Sequence, residues 1–295
     1  MFGLLGGGSG FIGTAIRRLL LQRGHGVMLV SRTAGKDKIT WDQLREDGLP
    51  ECDAVVSLSG ENILNPLKRW TESFKQEVTD SRVKTTAALA KAITEASKPP
   101  KVFVSTSGVG YYPPSLTAEY TEDSPGGDAD FLSRLCTVWE NSAKLPDSHS
   151  HVKQVIVRTG VVLGRDGGAI QQMIWPFWLG VGGVMGSGSQ YFAWIHIDDI
   201  AGIFVHAIES PDPPSILNGV APTPITNREF TKAFGSVLCR PTILPVPSFA
   251  INLAFGTERA AMLLDGQKVL PKQTLECGYE FQFPTIEKAL KNITS

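Results

Sequence analysis

The chain has 295 residues, 42% hydrophobic and 19% charged, with a formal charge of −1. That balance excludes gross disorder, and the near-zero charge excludes a general nucleic-acid binder, which needs a basic face. No apolar run reaches the roughly 18 residues of a membrane span, and no secretion signal is visible, so an intracellular, cytoplasmic protein without membrane or nucleic-acid partners is expected.

In chain order, residues 2–5 form a short apolar run that predicts a strand. It ends in a glycine cluster: Gly3, Gly6, Gly7, Gly8, Gly10 and Gly13 fall within thirteen residues. A helix is predicted over 12–22, with Ile12, Ile16, Leu19 and Leu20 on one face and Gly24 at its end. Further strands are predicted at 27–30, 54–58, 102–104 and 155–157, with long helices over 71–97 and 131–143. Strands alternating with helices in this way indicate βαβ units and a parallel sheet.

Beyond Gly160 the texture changes. Nine glycines lie between Gly160 and Gly188, suggesting a pocket margin. Inside that stretch, Ile174-Trp175-Pro176-Phe177-Trp178 is expected in the core or a pocket wall. Thr226-Asn227-Arg228-Glu229 has the pattern of a capping box opening a helix to about residue 238. Pro241, Pro245 and Pro247 force an extended connection, and helices are predicted near 249–255 and 286–293. The segment 194–210 fits either the second lobe or a return to the sheet.

The expected fold is therefore α/β, a Rossmann-type doubly wound parallel sheet with a small, mostly helical C-terminal substrate lobe. Residues 1–160 form the NADP-binding Rossmann domain, and 161–295 the remaining Rossmann elements plus the lobe. Cys52, Cys136, Cys239 and Cys277 are widely spaced, which predicts buried free thiols. No His or Cys spacing suggests a metal site.

Gly7-x-x-Gly10-x-x-Gly13 lies between the first strand and the first helix. One glycine permits the tight turn, the next lets backbone approach a pyrophosphate, and the last lets helix and strand pack closely. Phe11 and Ile12 join these three as candidate cofactor contacts. At the end of the second strand, an acidic residue would bind the ribose of NAD, and an arginine the 2′-phosphate of NADP. The chain has Ser31-Arg32 there, with Lys36 and Lys38 nearby and no carboxylate before Asp37. The expected cofactor is NADP.

Taken together, the chain resembles the extended and atypical short-chain dehydrogenase/reductases, and within them the NADP-binding "epimerase family" of cell-division-inhibitor-like proteins. The matching stretches are 6–13, Ser31-Arg32, 58–63, Ser81-Arg82, Arg158-Thr-Gly-Val-Val-Leu-Gly164 and Trp194-Ile-His-Ile-Asp-Asp199. Residues 262–271 and 278–281 match that subgroup's C-terminal region. The resemblance implies further cofactor contacts at Leu58, Ser59, Gly60, Glu77, Arg82 and Gly160. It also implies a homodimer through the two long helices. The competing structural readings are a surface pair for Glu77 and Arg82, a turn glycine for Gly160, and a fixed structural role for His196.

Relatives in this superfamily use a Tyr-x-x-x-Lys dyad, in which a lysine charge lowers the pKa of the phenol. None of the five tyrosines here has a lysine four positions on. The resemblance places the dyad near 131–140, where neither residue occurs at that spacing. Thr106 or Ser107 could supply the assisting hydroxyl, and Tyr111, Tyr112 or Glu140 the proton. Two functions stay open: an NADP-dependent oxidoreductase or epimerase acting on an unidentified small molecule, and a non-catalytic NADPH/NADP-binding sensor or scaffold.

Overall fold

The structure, a computed structural model, describes residues 1–63, 65 and 68–295. The first half runs β1 (Phe2–Gly6), α1 (Phe11–Gln22), β2 (Gly26–Ser31), β3 (Lys38–Thr40), α2 (Trp41–Asp47), β4 (Ala54–Ser57), α3 (Glu72–Thr94), β5 (Val102–Gly108), β6 (Glu119–Tyr120), α4 (Phe131–Ser142) and β7 (Lys153–Thr159). The second half runs β8 (Val161–Gly164), β9 (Gly167–Gly168), α5 (Ala169–Trp178), β10 (Trp194–His196), α6 (Ile197–Glu209), β11 (Ile216–Gly219), α7 (Asn227–Val237), α8 (Ser248–Phe255), α9 (Thr257–Leu264), β12 (Lys268–Val269), α10 (Lys272–Glu276) and α11 (Ile286–Thr294).

Seven strands form one sheet in the order β11-β7-β5-β4-β1-β2-β3, each pair parallel. Consecutive strand residues are buried on opposite faces. Leu5, Val56 and Val104 join one core with Ile16 and Leu20 of α1 and Phe204 of α6. Leu4, Val55 and Phe103 join another with Leu89 and Ile93 of α3. Burial on both faces is why these strands read as continuous apolar runs rather than alternating ones. The strand order reverses between β1 and β4, and the crevice at their carboxyl ends is where such sheets bind ligands.

The second lobe has its own core, built from Leu163, Phe177, Trp194, Phe230, Phe234 and Leu290. The Thr226 capping box is present at α7: the Thr226 hydroxyl accepts the Glu229 N–H, and the Glu229 carboxylate accepts the Thr226 N–H. Segment 194–219 serves both bodies. β10 pairs with β8, α6 packs on α1, and β11 adds the edge strand of the large sheet. His196 caps α6 by accepting the Asp198 N–H at 3.1 Å. Asp199, fully buried, accepts N–H bonds from Gln282 at 2.7 Å and Phe283 at 3.0 Å. These two side chains fasten the C-terminal tail to the sheet layer, giving His196 the fixed structural role.

Two expectations need correction. Trp175 and Trp178 are not in the core or a wall: they are 71% and 51% exposed, while Phe177 between them is buried. Helical spacing turns Ile170, Ile174 and Phe177 to one face and the two tryptophans away from it. Cys239 is exposed and Cys277 half-buried rather than buried, although all four thiols are free. Among the described residues no helix is long and apolar enough to cross a membrane.

Candidate functional site

β1 carries the chain to the point where the strand order reverses, and the turn after it has little room for side chains. Gly7 has φ +80°, and a Cβ there would lie 2.7 Å from the Ser59 nitrogen and 2.8 Å from the Leu58 carbonyl carbon. The turn after β1 and the loop after β4 are thus in direct contact. A Cβ on Gly13 would lie 2.6 Å from the Gly8 Cα. Gly10 differs, because a Cβ there meets only the Gly7 oxygen, at 3.4 Å. Packing within the protein accounts for Gly7 and Gly13 and leaves Gly10 without a reason in the fold.

Gly10 is the N-cap of α1, and α1 has neither a side-chain cap nor an acidic residue in its first turn. Its leading amides keep their partial positive charge for an external anion. Ile12 packs on the sheet core. Phe11 lies against the β8–β9 hairpin: Cβ atoms on Gly164, Gly167 and Gly168 would come within 2.6, 2.5 and 2.9 Å of its ring. The expected pocket margin is, at these three positions, a tight seat for Phe11. That contact joins the two glycine clusters, and no local pattern in the sequence marks it.

At the end of β2, the Ser31 hydroxyl donates to the Thr33 carbonyl and accepts the Thr33 N–H at 3.3 Å. The small turn so formed presents Arg32, which is exposed, beside the exposed Lys36. With no hydrogen bond or ion pair to it among the described residues, a guanidinium at this corner suits bidentate binding of a phosphate.

The Arg82 guanidinium lies on Gly60, whose Cβ would be 2.9 Å from the arginine Cζ. It donates to the Val78 carbonyl at 3.0 Å and lies 5.2 Å from the Trp139 ring centroid. Burial pulls its pKa down to about 10, so it stays cationic at neutral pH but is poorly solvated. Ser81 accepts the Glu61 N–H at 2.9 Å, which ties α3 to the same loop. Leu58, Ser59, Gly60 and Arg82 are therefore brought together beside Gly7. Glu77 stands apart, exposed and bonded to Lys68 at 2.6 Å rather than to Arg82. Gly160 is held by packing, since a Cβ there would lie 2.7 Å from the Ala193 oxygen.

The residues weighed as proton donors are largely tied up in one buried network. Arg158 on β7 makes two bonds to the Glu140 carboxylate, at 2.9 and 3.0 Å, and donates to the Tyr112 hydroxyl at 2.9 Å. Tyr112 in turn donates to Asn218 at 2.9 Å. The Arg158 guanidinium stacks 3.5 Å from the Tyr111 ring centroid. Burial works against the Arg158 charge, but the bonds and charge of Glu140 outweigh it and raise the pKa above the ordinary arginine value. Burial likewise raises Tyr112. Both groups hold their protons, which suits a structural clamp rather than a proton relay. Thr106 Oγ1 is buried without a partner, and Ser107 lies beside Cys136. Burial pushes the Cys136 thiol up to about 11, so it supplies no charge in place of a lysine.

A cavity of about 330 Å³ opens between the sheet layer and the second lobe. It is lined by Val109 and Gly110 after β5 and Leu132 of α4, and by Val161 of β8, Met173 of α5, Phe192 and Met262 of α9. The cavity lies past the carboxyl ends of β5 and β7, as the doubly wound arrangement requires.

The parallel sheet, the glycine turn at its reversal point and this cavity define a class: the chain belongs to the NAD-dependent epimerase/dehydratase family, whose model matches residues 4–218. A domain of unknown function (DUF1731) matches residues 246–293. The human epimerase family protein SDR39U1 is 56% identical over 292 residues, covering 99% of each chain. A crystal structure of human SDR39U1 isoform 2 with NADPH has a TM-score of 0.97 and 57% identity, covering 99% of both chains. UDP-glucuronic acid 4-epimerase from Bacillus cereus, solved with UDP-glucuronic acid and NAD, has a TM-score of 0.75 at 15% identity, covering 99% of this chain and 98% of that one. At that identity the likeness is one of fold alone.

Proposed function

We propose that this protein binds NADP(H) and acts as an oxidoreductase or epimerase on a small molecule held in the cavity, without a Tyr-x-x-x-Lys dyad. The carrying observation is the open side of Gly10, at the uncapped N-terminus of α1, where the turn after β1 meets the loop after β4. In this reading the α1 amides hold the pyrophosphate, Arg32 holds the 2′-phosphate, and Arg82 faces the ribose side from Gly60. The human relative crystallised with NADPH supports the choice of NADP over NAD. When bound, the cofactor supplies or accepts the hydride. The Arg158–Glu140–Tyr112 clamp keeps the ends of β5 and β7 rigid, so that the cavity wall does not shift.

A broad screen of small carbonyl compounds, read as loss of NADPH absorbance, is expected to yield at least one substrate-dependent oxidation. An epimerase returns its hydride and leaves NADPH absorbance unchanged, so the same compounds and the matching alcohols are also followed by NMR for inversion with NADP present. Silence in both assays, with firm NADPH binding by calorimetry, would instead favour a non-catalytic sensor or scaffold.

A further inference from the structure

The charges on the cavity wall are of one sign. Among its described lining residues there is no lysine, arginine or histidine, whereas Asp130, Glu258 and Asp265 are present. Glu258 is neutralised by Lys75, which reaches it from outside the cavity. Asp130 caps α4 and accepts the Ser133 N–H at 2.7 Å. Burial and the charge of Asp130 hold the Asp265 carboxyl above the usual aspartate range. A further negative charge here would meet two carboxyls and no cation among the described lining residues. The cations behind the wall, Lys75, Lys268 and Arg259, are held by Glu258, Glu119 and the carbonyls of Asn65 and Lys68.

The remaining wall is largely apolar, with Met173, Met185, Met262, Phe131, Phe192 and Val161. Two wall residues carry buried polar atoms without partners: Trp70 Nε1 and Gln190 Oε1. The Gln190 amide is oriented, because its nitrogen donates to the carbonyls of Met185 and Leu263, both at 3.1 Å. Both atoms lie behind the wall surface rather than on it, so the face that a ligand meets is set by the apolar groups.

From this geometry we infer the substrate class: an uncharged, largely apolar carbonyl compound or alcohol, and not a nucleoside diphosphate sugar or a carboxylate. The inference rests on reading this cavity as the substrate site. A diphosphate needs cations that the described wall lacks, and the methionines adapt to alkyl groups of varied shape. The volume of about 330 Å³ corresponds to about eleven water-sized portions, which suits a ligand of roughly ten heavy atoms.

The test is binding by ligand-observed NMR and calorimetry, with and without NADPH, using 2-butanone, 2-hexanone, 2-octanone, octanoate and UDP-glucose. Affinity is expected to rise about four-fold per added methylene along the ketones. Octanoate and UDP-glucose should bind at least about ten-fold more weakly than 2-octanone. Met173→Arg should lower 2-octanone affinity at least ten-fold while NADPH still binds, which shows that the variant folds. A flat ketone series, preference for UDP-glucose or octanoate, or unchanged ketone affinity in Met173→Arg would overturn the inference. If NADPH fails to bind at all, the proposed function fails, and the ketone series in cofactor-free protein still decides this one.

Discussion

Gly10→Val should lower NADPH affinity by at least about 100-fold, a loss of about 2.7 kcal/mol, while the cofactor-free protein keeps its fold. The backbone of Gly10 is extended, with φ −75° and ψ 177°, a conformation open to any L-residue. A Cβ there meets only the Gly7 oxygen, at ordinary contact distance. The remaining cost is that valine is a poor N-cap, of order 1 kcal/mol, or a melting temperature lower by about 2–4 °C. The two γ-methyl groups would occupy the space in which a pyrophosphate approaches the α1 amides. Gly13→Val should behave differently, because its side chain collides with the Gly8 backbone and costs stability as well as binding. Calorimetry and thermal unfolding of both variants separate a phosphate seat from a merely tight turn. Undiminished affinity in Gly10→Val would remove this loop from the site.

Arg158→Met should destabilise the protein by about 3–5 kcal/mol, because the Glu140 carboxylate is left buried without its partner. Arg158 is 2% exposed and Glu140 8%, so water cannot replace the lost bonds cheaply. The same change also frees the Tyr111 ring from its stacked cation. A fall in melting temperature of about 6–15 °C is expected. Removing both charges, as Arg158→Met with Glu140→Leu, should recover at least half of that loss, since an apolar pair of similar volume often matches a buried ion pair. If the single variant melts within about 2 °C of the parent, the network is not the clamp described above.

Much of the sheet was legible because its strands are short apolar runs buried on both faces. The predicted helices at 12–22, 71–97 and 131–143 correspond to α1, α3 and α4, and the capping signal at Thr226 corresponds to α7. The same signal marks α2, through Thr40 and Gln43, and would have found it. What local sequence could not show is contact between distant segments. Phe11 in its glycine seat, Arg82 on Gly60 and Arg158 between α4 and β7 each join residues far apart in the chain. The two exposed tryptophans illustrate the converse. Their bulk suggested burial, but helical phase decided which side chains of α5 face inward. The cavity's one-sided charge likewise appears only when 130, 258 and 265 are brought together by the fold.

Titration calorimetry decides whether Arg32 at the end of β2 makes this an NADP(H) site. The unaltered protein and Arg32→Ala are each titrated with NADPH and with NADH. At least a ten-fold preference for NADPH is expected, about 1.4 kcal/mol, which Arg32→Ala abolishes by weakening NADPH while leaving NADH nearly unchanged. Equal affinity for the two cofactors in the unaltered protein, or equal losses for both in the variant, would contradict this role for Arg32.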